Sequence, residues 1–426
     1  MKTNLNVDVH HLARVEGHGN IKVKVENGSL KEASWEVVET PRYFEFMLKG
    51  KHYTSAGILT ARICGICSIG HCLASIRATE NAFGITIPEA AQKLRLLAKH
   101  GETLQSHFLH LFFLAAPDFV GLPSAIPLVD LKPEIVALAQ RLKGMGNRIC
   151  DAVAGRTTHP VSLQVGGVAV MPDKQKLLDL KGELEGSLEA MKAVVELFKT
   201  FQIPDFVRET EFVSLKGEKD YPFIGGNIVS SDGKEMPEAD YRKVTNEYVT
   251  PNNTSKWCKF SRASYAVGAL ARFNNNHKFL HPAAAAIAKE LGLSPVSHNP
   301  FMNNVAQLIE CVHAAHDSIR LIDEIVKMKP ATQTMEKVQA KAGTGVGAVE
   351  VPRGILFHCY EYDKNGYIVK ADCVIPTTQN NANIHFDMGS LVEKFASAEN
   401  MTDEKLELLC SMLVRSYDPC ISCSVH

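Results

Sequence analysis

The sequence carries almost no net charge. Its 46 basic and 47 acidic residues leave a formal −1 over 426 residues, so electrostatics gives no reason to expect nucleic acid or an anionic membrane as partner. It has no apolar run of about 18 residues or more, so no segment is expected to insert in a bilayer. The stretch from residue 1 to 11 lacks the apolar centre of a secretory signal. Secretion is therefore not expected, and a cytoplasmic setting with reduced thiols is. Without secretion, the sequon at Asn253–Ser255 is read as chance. Internal repeats and low-complexity tracts are absent. No G-x-G-x-x-G follows a strand pattern, and Gly343, Gly345 and Gly347 are not followed by Lys-Ser or Lys-Thr. Nucleotide binding by this chain is therefore not expected, and those glycines read as a tight loop approaching a buried site.

The 45% of hydrophobic residues is ordinary for a globular chain of this length, which can bury a core without disulfides. The patterning predicts a mainly α fold with small β units (α+β). Residues 1–40 read as a β-rich unit, with alternating apolar residues on both sides of Asn27–Gly28 marking a hairpin. A long helix is expected from Pro88 to about Leu114, interrupted only by Gly101. Leu177, Leu180, Leu184, Leu188, Met191, Val195 and Phe198 form one helical stripe, best read as core packing rather than a coiled-coil seam. A second stripe runs from Leu308 to Ile325, and a helix from Glu404 to about Ser416 leads into the C-terminal cysteines. Residues 204–256 read as an irregular, β-containing excursion. Two strands are expected around Lys364–Gly366.

Two segments carry the chemistry. RICGICSIGH (62–71) contains Cys64 and Cys67; DPCISCSVH (418–426) contains Cys420 and Cys423. Each C-x-x-C can turn two sulfurs toward one ion, and together they make a four-thiolate pocket. The pairs lie 356 positions apart, so the fold must bring distant segments together. That argues for a single unit, 1–426, over the roughly three domains that length alone suggests. On spacing alone a structural zinc scaffold is a full alternative. An iron–sulfur cluster is another, because Cys72 extends the first segment to C-x2-C-x4-C. A thiol oxidoreductase would need a βαβ setting that is not suggested. Two features fit zinc poorly: the separation of the pairs, and the polar neighbours Arg62, His71, Asp418 and His426, which could tune a thiolate cluster.

At these residues the sequence resembles the large subunit of nickel–iron hydrogenases, most nearly the soluble, pyridine-nucleotide-linked, sulfhydrogenase-like branch. RVEGHG (14–19), PRYFEFMLKG (41–50), SHFLHLFFLAAPDFV (106–120), VPRG (351–354) and VIPTTQN (374–380) resemble further motifs of that family, in its order, over essentially the whole chain. The quinone-site subunit of respiratory complex I is similar in fold but lacks the cysteines present here.

The resemblance implies that Cys64 and Cys420 are terminal nickel ligands and that Cys67 and Cys423 bridge nickel to iron. The iron would carry carbon monoxide and two cyanides. Arg353 would offset charge beside the cyanides, Pro376 and Thr377 would face one of them, and Asp118 would hold Arg353. His71 would hydrogen-bond a bridging sulfur. Cys420 would take the first proton and Glu16 the next, since a poorly solvated carboxyl can shuttle protons near neutral pH. Glu45, His426 and the carbonyl of Cys373 would hold a magnesium. A sequence ending at His426 looks like the matured form of such a chain, though a natural end or a truncation reads the same. The other seven cysteines form no further C-x-x-C pair. Electrons are therefore expected to pass to a partner, an iron–sulfur small subunit, and on to diaphorase subunits carrying flavin and NAD(P), with ferredoxin or a deazaflavin as other acceptors.

Overall fold

The computed structural model describes residues 4–329 and 332–426; residues 1–3 of the N-terminal stretch read above lie outside them. Strands β1 (Leu5–Val9), β2 (Gly19–Glu26) and β3 (Ser29–Val37) form an antiparallel sheet. Asn27 and Gly28 make the β2–β3 turn at φ 54° and 76°, the left-handed pair that a two-residue hairpin needs. Trp35 on β3 is fully buried, and its indole N–H donates to Asn381 Oδ1 at 3.2 Å. This contact seats the sheet on a helix near the C-terminus, so the loop between β1 and β2 lies where the last residues of the chain arrive.

Helices make the frame. They are α1 (Ser68–Phe83), α2 (Glu89–Leu109), α3 (Pro133–Ala154), α4 (Lys174–Lys199) and α5 (Asn303–Ile325). Helix α2 packs against α3 and α5, and α5 against α4. The glycine inside α2 has a packing reason. A Cβ on Gly101 would lie 2.9 Å from Cys150 Sγ, and one on Gly146 would lie 2.5 Å from Gln105 N, so both helices need bare backbone where they cross. The stripe on α4 is core as expected: all but Leu188, which is half-buried, are buried, each worth about 1.5–3 kcal/mol. Beyond Leu109 the helix continues as a π-helical turn, His110–Ala115, and then Ala116–Phe119, which carries Asp118.

The excursion contains short strands, Glu211–Leu215, Ile228–Ser230 and Glu235–Met236, which join Tyr265–Ala266 in a four-stranded sheet. A third sheet follows: β4 (Gly343–Val351), β5 (Gly354–Tyr362) and β6 (Ile368–Val374), all antiparallel. Here the expected glycine loop is a strand. Gly345 and Gly347 let β4 lie directly on α1: added Cβ atoms would come within 2.1 Å of Ala78 O and Ala74 O. The glycines serve close packing of sheet on helix, not a turn. After β6, α6 (Pro376–Phe395) and α7 (Asp403–Ser416) lead to the final turn. Thr402 caps α7 by accepting from Lys405 N–H.

Candidate metal centre

The two cysteine segments are brought together by different local devices. Cys64 and Cys67 lie in the turn before α1, with Cys67 at its N-cap. Cys420 and Cys423 bracket a single helical turn after Asp418, whose φ of 50° reverses the chain at the end of α7. Arg42 ties the halves to each other. One of its terminal nitrogens donates to Ile63 O and to Ser422 O, both at 2.6 Å, and its backbone N–H donates to Val425 O at 2.8 Å. Ile421 N–H donates to Glu16 O at 2.9 Å and fixes the N-terminal loop to the same turn.

The four sulfurs are buried and unoxidised. Cys64 Sγ lies 3.6 Å from Cys420 Sγ, and Cys67 Sγ lies 3.8 Å from Cys423 Sγ. All four fall within 4.8 Å of one another, the only such group of possible ligands among the described residues. A disulfide would require about 2 Å. A tetrahedron of thiolates at about 2.3 Å from an ion has edges of about 3.8 Å, so the pocket has the size of a thiolate metal site. Hydrogen bonds with Cys420, Cys423 and Cys67 push the Cys64 thiol well down, and the same sharing pushes Cys420 well up. A metal ion bound here would be held by thiolates, so its binding releases protons.

Arg353 occupies the tip of the β4–β5 hairpin, followed by Gly354 at φ 136°. It is buried. Its Nε donates to Asp418 O at 2.9 Å and its Nη2 to Asp418 Oδ1 at 3.0 Å, while Nη1 is buried with no partner. Burial opposes its charge, but Asp418 and the thiolates of Cys420, Cys67 and Cys64 outweigh that and hold its pKa well above the usual value. The expected Asp118–Arg353 pair is not formed. Asp118 pairs instead with Arg14 and with Arg415 Nη1, the latter at 2.8 Å. The reason is placement: Asp418 stands two residues before Cys420 and is carried into the pocket with it, whereas Asp118 meets the flank of α7.

Glu16 lies against the Cys420 sulfur. Its Oε2 lies 3.2 Å from Cys420 Sγ and accepts Ser422 N–H at 3.0 Å; its Oε1 accepts the Ser422 hydroxyl. Thr377 Oγ1 accepts Cys420 N–H at 2.9 Å, so Pro376 and Thr377, the first residues of α6, line the pocket. His71 differs from expectation. Its ring makes no hydrogen bond to a cysteine sulfur; Nδ1 faces His358 Nε2 at 3.2 Å, and burial pushes its pKa down to about 4. Its backbone N–H, four residues after Cys67, closes the first turn of α1 onto Cys67 O, and the ring points at β5.

Behind the pocket, Glu45, Cys373 and His426 do meet. Glu45 Oε1 accepts Cys373 N–H at 2.8 Å and lies 3.4 Å from His426 Nε2. Burial opposes the Glu45 charge, but the hydrogen bond and charge of His426 prevail and hold its pKa at about 2. The sequence reading missed Arg42, Ser422 and the role of Asp418. Asp418 and Ser422 carried a signal, their position beside the cysteines, and Arg42 lies in the segment 41–50.

A family model described as nickel-dependent hydrogenase matches residues 42–142 and 231–426. The chain is 33% identical to sulfhydrogenase 1 subunit alpha of Pyrococcus furiosus, over 99% of this chain and 98% of that one. It is 31% identical to sulfhydrogenase 2 subunit alpha of the same organism, again over 99% and 98%. Among solved structures it is similar to an NAD+-reducing [NiFe]-hydrogenase in the H2-reduced state, at 27% identity and a TM-score of 0.89, covering 99% of both chains.

Proposed function

The chain belongs to the nickel-dependent hydrogenase family and is a large subunit of a nickel–iron hydrogenase; on that footing we propose how its residues divide the work of cleaving dihydrogen. Cys64, Cys67, Cys420 and Cys423 would hold the nickel–iron pair, with Cys64 and Cys420 assigned to nickel and Cys67 and Cys423 to both metals. When bound, the metal pair supplies the Lewis acidity and two-electron redox capacity that cleave dihydrogen into protons and electrons. Everything else falls to the protein.

The contact that carries this reading is Glu16 on Cys420. The Cys420 thiolate accepts a proton at Sγ, and Glu16 Oε2, 3.2 Å away, takes it on. Ser422 holds that carboxylate in place through its N–H and hydroxyl. Carbon monoxide and two cyanides on the iron fit an observation in the pocket. Among the described residues Arg353 Nη1 is the one terminal guanidinium nitrogen buried without a protein acceptor. Arg353, with Thr377 and the backbone around Pro376, would hold the cyanides and offset their charge. Glu45, His426 and the Cys373 carbonyl would hold magnesium. A carboxylate and a carbonyl suit that ion; histidine is a less usual partner for it.

Electrons must leave the chain. Its other seven cysteines are buried and form no ligand cluster among the described residues. An iron–sulfur small subunit is the fitting acceptor, and Gly65, exposed between Cys64 and Cys67, marks a short way out. Diaphorase subunits with flavin and NAD(P) would fit beyond it, with ferredoxin or a deazaflavin as other acceptors; one similar structure is of an NAD+-reducing hydrogenase. Among the described residues no helix is long and apolar enough to cross a membrane. We read 1–426 as one catalytic unit in the cytoplasm.

The test is an infrared spectrum of the complex purified with its partners. Carbon monoxide and cyanide stretches are expected together with nickel and iron. Zinc at full occupancy without those bands would replace this reading with the structural-zinc one.

A further inference from the structure

Arg272 lies on the short helix Ala269–Asn276 and is completely buried. Every one of its five N–H donors is used. Nε donates to Glu310 Oε1 at 2.6 Å and Nη2 to Glu310 Oε2 at 2.7 Å, a bidentate pair; Nη1 donates to Glu350 Oε2 at 2.8 Å. The remaining two go to main chain: Nη1 to Val351 O at 3.0 Å and Nη2 to Pro352 O at 3.1 Å. Both carboxylates are themselves braced. Glu310 accepts from Tyr221 OH and faces His107 Nε2, each at 2.8 Å, and Glu350 accepts Leu215 N–H at 2.7 Å.

The two carbonyls belong to the residues directly before Arg353. The β4–β5 ladder closes at Val351 and Gly354, so Pro352 and Arg353 form its tip and have no strand partner there. The same short helix begins after Gly268, where an added Cβ would lie 3.3 Å from Arg353 O. The hairpin tip is therefore held from behind by Arg272 and its helix. At its far end the Arg353 side chain is held only by Asp418, and one terminal nitrogen is unpaired. Its aim depends on the backbone that carries it. For a side chain of this length, a tilt of about 10° at the base moves the guanidinium by about 1 Å, enough to spoil a placed charge.

A buried ion cluster could serve stability alone. Stability alone would not require a planar fork that spends two donors on the carbonyls of residues 351 and 352. Lysine could hold the charge but not this pattern. We propose that Arg272, braced by Glu310 and Glu350, is a positioning residue that sets the direction of Arg353 toward the iron ligands during hydrogen cleavage. The inference rests on the reading of the metal centre given above.

The test uses Arg272→Lys and, as a milder change, Glu350→Gln, each purified as the full complex. Metal content, infrared spectra, and kcat and KM for dihydrogen are measured. Arg272→Lys is expected to retain nickel and iron, shift the cyanide stretches, and lower kcat about ten- to a hundredfold with KM within about twofold. If Arg272→Lys does not load metal, Glu350→Gln decides by the same bands. Cyanide bands unmoved in a loaded variant overturn the inference, whatever the rate. Absence of those bands from the unaltered enzyme overturns instead the metal-centre reading.

Discussion

Replacing Glu16 by Gln changes one oxygen into an NH2 group and keeps the shape. The amide oxygen can stay on Ser422 N–H, which the carboxylate now accepts at 3.0 Å, and the NH2 can turn to the Ser422 hydroxyl as acceptor. The loss in stability should therefore be about 1 kcal/mol, the difference between a charged and a neutral hydrogen bond. The four sulfurs are untouched, so nickel and iron should be retained. The amide cannot take the proton that Cys420 offers across 3.2 Å. A positioned acid–base group contributes about 10²- to 10⁴-fold, or about 3–5 kcal/mol of barrier. Hydrogen-dependent dye reduction should fall by that factor, with infrared bands still present. Glu16→Asp should be intermediate, because its carboxylate is withdrawn by about one bond length but can still titrate. A fully loaded Glu16→Gln enzyme turning over at the unaltered rate would refute the proton route.

Arg42→Leu removes both donations that join Ile63 O to Ser422 O, each worth about 1.5–3 kcal/mol as a charged hydrogen bond, and nickel per chain should drop while secondary structure by circular dichroism stays. Gly347→Ala puts a methyl 2.1 Å from Ala74 O, so β4 must lift from α1; destabilisation of about 3 kcal/mol is expected, read as a lower denaturation midpoint. His313 is held neutral by burial, its pKa lowered to about 4. Above about pH 6.5 it is neutral folded or unfolded; below that the unfolded chain gains a proton that the folded one refuses. Stability should fall from about pH 6.5 to 4 by up to about 1.4 kcal/mol per pH unit from this residue, and His313→Gln should flatten that slope in denaturant titrations. A slope unchanged by the substitution would remove His313 from the account.

Much of the site was legible because its chemistry is local. A C-x-x-C pair declares a possible thiolate site, though not its metal, within four residues, and a hairpin at Asn27–Gly28 needs only its own φ angles. Pair partners across the fold were less legible. Asp118 and Asp418 are equivalent acids on paper; which of them reaches Arg353 depends on where α7 ends and how the chain reverses at Asp418. Arg42 lies in a motif segment and Arg272 in none, yet the role of neither could be read, because each reaches main-chain carbonyls, and a carbonyl is present at every position. The glycines of β4 misled for a related reason. Bare backbone suits a loop and a strand pressed on a helix alike, and only the neighbour tells them apart.

The pocket also has a history built into it. Cys64 and Cys67 are separated by 356 positions from their counterparts. At about 5–20 residues per second, the first pair waits on the order of 20–70 s for the second to be synthesised. Closing such a loop costs about 5–6 kcal/mol of chain entropy. During that interval the nascent protein owns only two of the four sulfurs. Only when Cys420 and Cys423 dock, with Glu16 and Arg42 fastening their turn, does a complete four-sulfur pocket exist. Completing the pocket is thus coupled to folding across the whole span between the two segments, and metal binding draws on the same free energy.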